Sequence, residues 1–147
     1  MVNQPHQPTI RITSEPDASA QEVDILAHRI YDFNMRVTGD YDWKPLRIFL
    51  RDENGNIRGG VAGDLWGGWL YIEFLWVDED LRHYGYATQL MQQIEAQAVA
   101  YGCRNAHLET HSFQARPFYE KLGYKVIAEL ENYPPGHSNF LLRKTLT

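Results

Sequence analysis

Apolar positions recur along this chain with two periods, and the switches between them lay out the elements. Residues 9–13 alternate apolar and polar and predict a short strand. Val23, Leu26, Ile30 and Phe33 then recur at helical spacing, which predicts a helix over about residues 20–36. Residues 38–45 break the pattern and read as a loop. Residues 46–51 and 57–66 are predicted strands, joined by a turn at Asn54-Gly55 where glycine supplies the positive φ that a tight hairpin needs. Gly59, Gly60 and Gly63 are expected to loosen the second of these strands. A turn at Gly67-Gly68 leads into residues 69–77, which are apolar on both faces and therefore expected in the middle of a sheet.

From Gly85 the period is helical again. Ala87, Leu90, Met91, Ile94, Ala98 and Tyr101 form one stripe, and Gly102 ends it. Residues 105–110 predict the next strand. A strand–helix–strand crossover of this kind implies parallel pairing with residues 69–77. A short helix is expected over about residues 115–122, with Pro117 in its first turn and Gly123 after its end. Strands at 124–130 and 139–145 flank a proline-rich loop at 132–137. Residues 1–8 are polar and proline-spaced and read as a flexible tail. No repeat or linker interrupts residues 9–147, which read as a single mixed α/β domain.

Composition narrows the function classes. The chain has 147 residues, 44% of them hydrophobic and 13% aromatic, which suits one domain with a real core. Its net charge of -5 argues against nucleic acid as the main partner and is compatible with a cationic substrate. The N-terminus has no basic-then-apolar leader pattern, and no apolar run approaches the roughly 20 residues of a membrane span. The single cysteine, Cys103, excludes an internal disulfide and a multi-cysteine zinc site. A cytoplasmic setting is expected.

The chemistry centres on the passage from residues 69–77 into the following helix. A glycine turn ahead of a helix N-terminus leaves backbone N–H groups free to bind phosphate, and Arg82 adds a full charge. Arg82-His83-Tyr84-Gly85-Tyr86-Ala87 is similar to the Gln/Arg-x-x-Gly-x-Gly/Ala pyrophosphate loop of the GNAT acyltransferase superfamily. Ala115-Arg116-Pro117-Phe118-Tyr119-Glu120-Lys121-Leu122-Gly123-Tyr124 resembles that family's Ala-x-x-Phe-Tyr-x-Lys-Leu-Gly-Phe/Tyr segment. The resemblance runs from Thr9 to Leu146 in element order. It implies a mixed, mostly antiparallel sheet of about six to seven strands flanked by helices, with a splayed parallel pair at the cofactor cleft. It also implies acetyl-CoA as acetyl donor. The amides of residues 82–87 would hold its pyrophosphate, and Leu75, Trp76 and Val77 would pair with its pantetheine arm. Tyr119 would be the acid for the leaving thiolate. Many members carry asparagine where this chain has Ser112, whose contact with the cofactor is therefore open.

Other residues are weighed on their own chemistry. Glu73 is the one ionisable group within residues 69–77 other than Tyr71, and an unpaired carboxylate in a buried strand is costly. It either takes a proton from the acceptor amine, holds a cationic substrate, or pairs with an arginine or tyrosine. Strand alternation puts Tyr71, Glu73 and Leu75 on one face. Tyr119 could equally belong to the packed face of a short helix with Phe118 and Leu122. His107, Glu109 and His111 also share a face; the choice is between a metal site and a solvated or substrate-facing surface, and no metal is expected. Glu109 is a second base candidate. Tyr31, Phe33, Asn34, Asp40, Tyr41 and Trp43 form an aromatic and acidic stretch. In this family such a stretch borders the acceptor, so Tyr31, Asn34 and Tyr41 are candidate substrate contacts, with Glu109 as a fourth. Cys103 reads as a small core residue, and no Cys-His or Ser-His-Asp pattern suggests a covalent intermediate. The expected activity is direct N-acetylation of a primary amine on a small molecule. The alternatives are a protein lysine or N-terminus as acceptor, and a CoA-binding module without turnover. A homodimer is compatible with the family.

Overall fold

The computed structural model describes residues 9–40 and 42–147. The expected tail at residues 1–8 and the candidate contact Tyr41 lie outside the described residues. The chain divides into two compact units at Gly39/Asp40.

The first unit is built on helix α1, Ala20–Thr38. Ser19 caps it: its side chain accepts from the Glu22 N–H, and the Glu22 carboxylate accepts in return from the Ser19 N–H at 2.8 Å. This reciprocal pair satisfies two donors that a helix start leaves open. Gly39, at φ 69°, closes the other end, where its N–H donates to the Met35 carbonyl. Residues 9–13 are not a strand, contrary to the alternation. A strand exists only through hydrogen bonds to a neighbour, and a five-residue pattern does not supply one.

The second unit is a six-stranded mixed sheet with two α-helices. Its strands are β1 (Lys44–Arg51), β2 (Ile57–Trp66), β3 (Trp69–Val77), β4 (Asn105–His111), β5 (Lys125–Glu131) and β6 (Ser138–Thr145), and its helices are α2 (Tyr86–Ala100) and α3 (Arg116–Lys121). The spatial order is β1-β2-β3-β4-β6-β5. Every neighbouring pair is antiparallel except β3 and β4. The parallel pair follows from α2, which carries the chain back over the sheet between the two strands.

One face of the sheet packs on α2. Leu90, Met91, Ile94 and Ala98 are its buried residues and share a core with Val61, Leu65, Leu70, Ile72, Leu108 and Leu142. Burying such aliphatic side chains is worth roughly 1.5–3 kcal/mol each. Tyr101 leaves the predicted stripe: it is exposed, and the Lys44 ammonium sits 5.5 Å from its ring centre. Cys103 is buried in the core, as its reading as a small core residue anticipated.

The β2 glycines do not loosen the strand but let it come close to its neighbours. A Cβ on Gly59 would lie 2.6 Å from the Trp76 carbonyl oxygen, and one on Gly60 would lie 2.6 Å from that of Ile48. A Cβ on Gly63 would collide with the Tyr71 carbonyl oxygen. These contacts flank an irregularity: Ala62 pairs with Phe74 but Gly63 pairs with Ile72, so Glu73 has no opposite residue on β2. A bulge of this kind bends a strand and re-aims its side chains. β3 lies in the middle of the sheet, as its apolar run predicts, but past the bulge it is not covered on both faces. Leu70 and Ile72 are buried before the bulge, whereas Glu73, Phe74 and Trp76 are exposed after it.

Candidate functional site

The β3–β4 ladder is short. It pairs Trp69 with Asn105, Leu70 with Ala106, Tyr71 with His107 and Ile72 with Leu108, and goes no further. Beyond that point β4 stays paired with β6 through His111, while β3 stays paired with β2 through Val77. The two strands therefore part, and residues 73–77 present an unpaired backbone edge towards β4. A cleft of about 660 Å³ opens there. Glu73, Leu75, Trp76 and Val77 line it from β3, and Glu109 and Thr110 from β4. Phe113, Gln114, Phe118 and Tyr119 close its far side, and Arg82 and Ala87 its end.

A second cavity of about 310 Å³ shares Val77, Arg82, Ala87 and Phe118 with this cleft and adds His83, Gly85, Tyr86 and Thr88. Here the turn behaves as the sequence predicts. Gly85 is the N-cap of α2 at φ 84°, and His83 also has a positive φ of 70°. The first helical bond is from the Gln89 N–H to the Gly85 carbonyl. Among the described residues, the N–H groups of residues 83–88 find no acceptor. The Arg82 N–H is different, since it donates to the Glu79 carbonyl at 3.2 Å. The Arg82 side chain is also engaged: Nε donates to the Val77 carbonyl, and the guanidinium lies 4.9 Å from the Trp76 ring centre. Tyr84 is exposed and lies outside the lining of both cavities.

Sequence reasoning missed the clamp that holds this turn. Arg58, on β2, donates through Nε to Asp78 at 2.7 Å and through Nη2 to Asp80 at 2.7 Å. The Trp76 indole N–H donates to the other Asp78 oxygen at 2.9 Å. Hydrogen bonds from Arg58 first and Trp76 second hold the Asp78 carboxyl below the usual carboxylate range. The signal was present only as an acidic run, Asp78-Glu79-Asp80, with no indication that its partner lay twenty residues upstream.

Tyr119 reaches the cleft because Thr110 and Gln114 shape the turn before α3. Gln114 Oε1 accepts from the His111 N–H at 2.8 Å and from the Thr110 hydroxyl at 3.3 Å. The Tyr119 residue is 8% exposed, and its hydroxyl bonds to no described residue. It is not among the sealed polar atoms, so it faces the cleft it lines. Burial raises its pKa above the ordinary tyrosine value. Its ring is set against Phe118 and Tyr124, at 5.2 and 6.0 Å between centres. Tyr124 is itself pinned, donating to Glu95 at 2.8 Å, and Lys144 holds the other Glu95 oxygen at 2.6 Å. Both readings of Tyr119 thus have a counterpart: the ring packs, and the hydroxyl is left over.

Glu73 is exposed to the cleft, not buried, so the desolvation argument for a partner does not apply. It has no ion pair or hydrogen bond with any described residue. Glu109 lines the same cleft and accepts from Asn139 Nδ2 at 2.9 Å. His107 is occupied by stacking on Tyr71 at 4.8 Å, and burial lowers its pKa. His111 packs on Phe113 and Tyr133. Ser112 stands apart from the cleft lining, with its hydroxyl accepting from the Ser138 N–H and meeting His137 Nδ1 at 3.3 Å. Asp40 sits beyond the opposite end of β3, where its carboxylate accepts from the Gly67 N–H at 3.1 Å. Tyr31 and Asn34 are on α1, three residues apart and so on one side of that helix.

Comparison with known proteins bears on what this cleft does. Residues 17–124 match the sequence model of the acetyltransferase (GNAT) family. The blasticidin-S acetyltransferase of Streptomyces morookaense is 35% identical over 116 residues, which cover 76% of this chain and 85% of that protein. An acetyltransferase of Agrobacterium fabrum is 30% identical over 128 residues, covering 87% of this chain and 92% of its own. The crystal structure of an acetyltransferase from Bacillus cereus, at 34% identity, superposes with a TM-score of 0.80 and covers 91% of this chain and 98% of that one.

Proposed function

The chain belongs to the GNAT acetyltransferase family, whose general reaction is acetyl-CoA-dependent transfer, and we propose that it acetylates a primary amine of a small molecule. The observation that carries this reading is the parting of β3 and β4 after Ile72 and Leu108, next to a helix start with free amides. The residues fit the donor. The N–H groups of residues 83–88 would take the pyrophosphate at the α2 N-terminus, where the helix dipole favours an anion. The open edge of residues 73–77 would pair with the amides of the pantetheine arm. Acetyl-CoA, when bound, supplies the acetyl group as a thioester.

The chain's own residues then need to do little: position the amine, take its proton and supply one to the sulfur. Glu73 is the base of this reading. Re-aimed by the bulge and free of a partner, its carboxylate accepts the amine proton directly or through a water. Tyr119 is the acid. Its raised pKa keeps the hydroxyl protonated at neutral pH, ready to donate to the leaving thiolate. Direct attack is consistent with the placement of Cys103, which is buried in the core. Leu75, Trp76 and Val77 belong to the donor arm, and Ser112 stays with the turn before β6. No helix among the described residues is long and apolar enough to cross a membrane.

The cleft is flanked by aromatic side chains, with carboxylates on both strands, which favours a small amine over a peptide laid along a groove. The test is free-thiol release from acetyl-CoA against a panel of small amines and lysine peptides. Blasticidin S, for which the Streptomyces relative is named, is the first compound to try. Release with small amines and not with peptides is expected. The reverse would move the acceptor to a protein, and tight CoA binding without release against the whole panel would leave a binding module.

A further inference from the structure

Glu73 and Glu109 enter one cleft from two strands, and no cation of the described residues pairs with either. Arg82, which lines the cleft, and the arginines of β1, α3 and β6 are committed elsewhere. Arg47 binds Asp64, Arg116 binds Glu120, and Arg82 binds the Val77 carbonyl. Arg143 bonds to Asn105 and lies over Trp69. The two carboxylates share one electrostatic environment, since both help raise the pKa of Tyr71 after its burial does. One base suffices to deprotonate one amine, so the second carboxylate has no task in the proton transfer.

Glu109 also carries a support that Glu73 lacks. Asn139 is 4% exposed, and its Nδ2 is held on Glu109 Oε2. Its Oδ1 is sealed from solvent and has no partner, the only such side-chain atom among the described residues. An orphaned buried acceptor costs stability. The amide cannot turn to relieve it, because Oδ1 would then face the Glu109 carboxylate. Asn139 is thus kept at a position where a hydrophobic residue would pack without that cost, and what it achieves there is the orientation of Glu109. Glu109 Oε1 remains free.

We propose that Glu109, oriented by Asn139, is a subsite for a second, positively charged group on the acceptor, separate from the amine that reacts at Glu73. This rests on the amine-acetylation reading above. The acceptor class is then a primary amine carrying a further guanidinium or ammonium group. Asn139 is a positioning residue, acting through Glu109.

The test compares 4-aminobutylguanidine with hexylamine, each having one reactive amine, in wild type, Glu109→Gln, Asn139→Leu and the double variant. Wild type is expected to prefer the guanidinium compound in kcat/KM. Glu109→Gln should raise its KM roughly 10- to 100-fold with little change in kcat, a loss selective for the guanidinium compound over hexylamine. Asn139→Leu should do the same while keeping or raising the melting temperature, and should add nothing in the Glu109→Gln background. No guanidinium preference in wild type, equal loss on both amines, or a full Asn139→Leu effect in the double variant would overturn the subsite while leaving acetyl transfer in place. Absence of thiol release with every amine would instead overturn the function reading. Calorimetric binding of 4-aminobutylguanidine to wild type and Glu109→Gln then decides the subsite, and equal binding refutes it.

Discussion

Ile72 and Leu108 are the last residues across which β3 and β4 pair, and each strand continues past them bonded only to its outer neighbour. The cleft is the consequence. Pairing one or two residues further would close the edge of β3 and bring Glu73 against Glu109. The bulge at Glu73 and the glycine opposite Ile72 stand at this branching point.

Gly63→Ala tests that geometry. Its Cβ would meet the Tyr71 backbone oxygen, which cannot yield as a side chain can. A loss of about 1–3 kcal/mol in denaturant unfolding is expected, as for other overpacked sites, with lower activity in the fraction that folds. A neutral effect would mean the strand tolerates a different register there.

Tyr119→Phe should lower kcat by about 100-fold or more, the scale of general acid catalysis, while CoA binding changes little. Single-turnover thiol release and CoA titration separate the two. The pH dependence follows from the sign of the shift. Burial raises the Tyr119 pKa above 10, so the neutral acid persists past that pH and no fall in activity due to it is expected below pH 10. The same shift means that the folded state holds this proton more tightly, so its contribution to stability is fully present below the unfolded value of about 10 and is lost as the pH rises from there through the folded value.

Arg58→Ala should release Asp78 and Asp80 and loosen the turn whose amides face the smaller cavity. CoA affinity is expected to drop on the order of tenfold with β2 and β3 still paired. Because Asp78 is held below its ordinary pKa, its stabilising effect is present at neutral pH and disappears as the pH falls through the folded value. The variant should therefore lose part of the acid sensitivity of the wild type in a melting series from pH 7 to pH 2.

Glu95→Ala removes the acceptor shared by Tyr124 and Lys144. Leaving a largely buried tyrosine hydroxyl without a partner should cost about 1–3 kcal/mol. Tyr124 packs on Tyr119, so kcat should fall as well, although Glu95 lies outside the cleft lining. Unchanged turnover in the folded variant would show that the Tyr119 ring is positioned by Phe118 alone.

Local chemistry was legible in the chain itself. The helical stripe of α2, the turns at Gly55, Gly67 and Gly85 and the order of β1 to β6 depend on neighbours in sequence, and periodicity and positive-φ glycines report these directly. The glycine turn that opens α2 and the short helix that carries Tyr119 were readable for the same reason, each lying within a short contiguous motif. What only the tertiary structure decided involves residues far apart in the chain. The Arg58–Asp78 clamp, the support of Glu109 by Asn139, the exposure of Glu73 and the failure of residues 9–13 to form a strand all depend on which backbones lie side by side. A bulge adds one residue against one partner strand, and no pattern within β3 alone records it. The sequence thus determined which groups were available, and strand pairing determined which of them came to share a cleft.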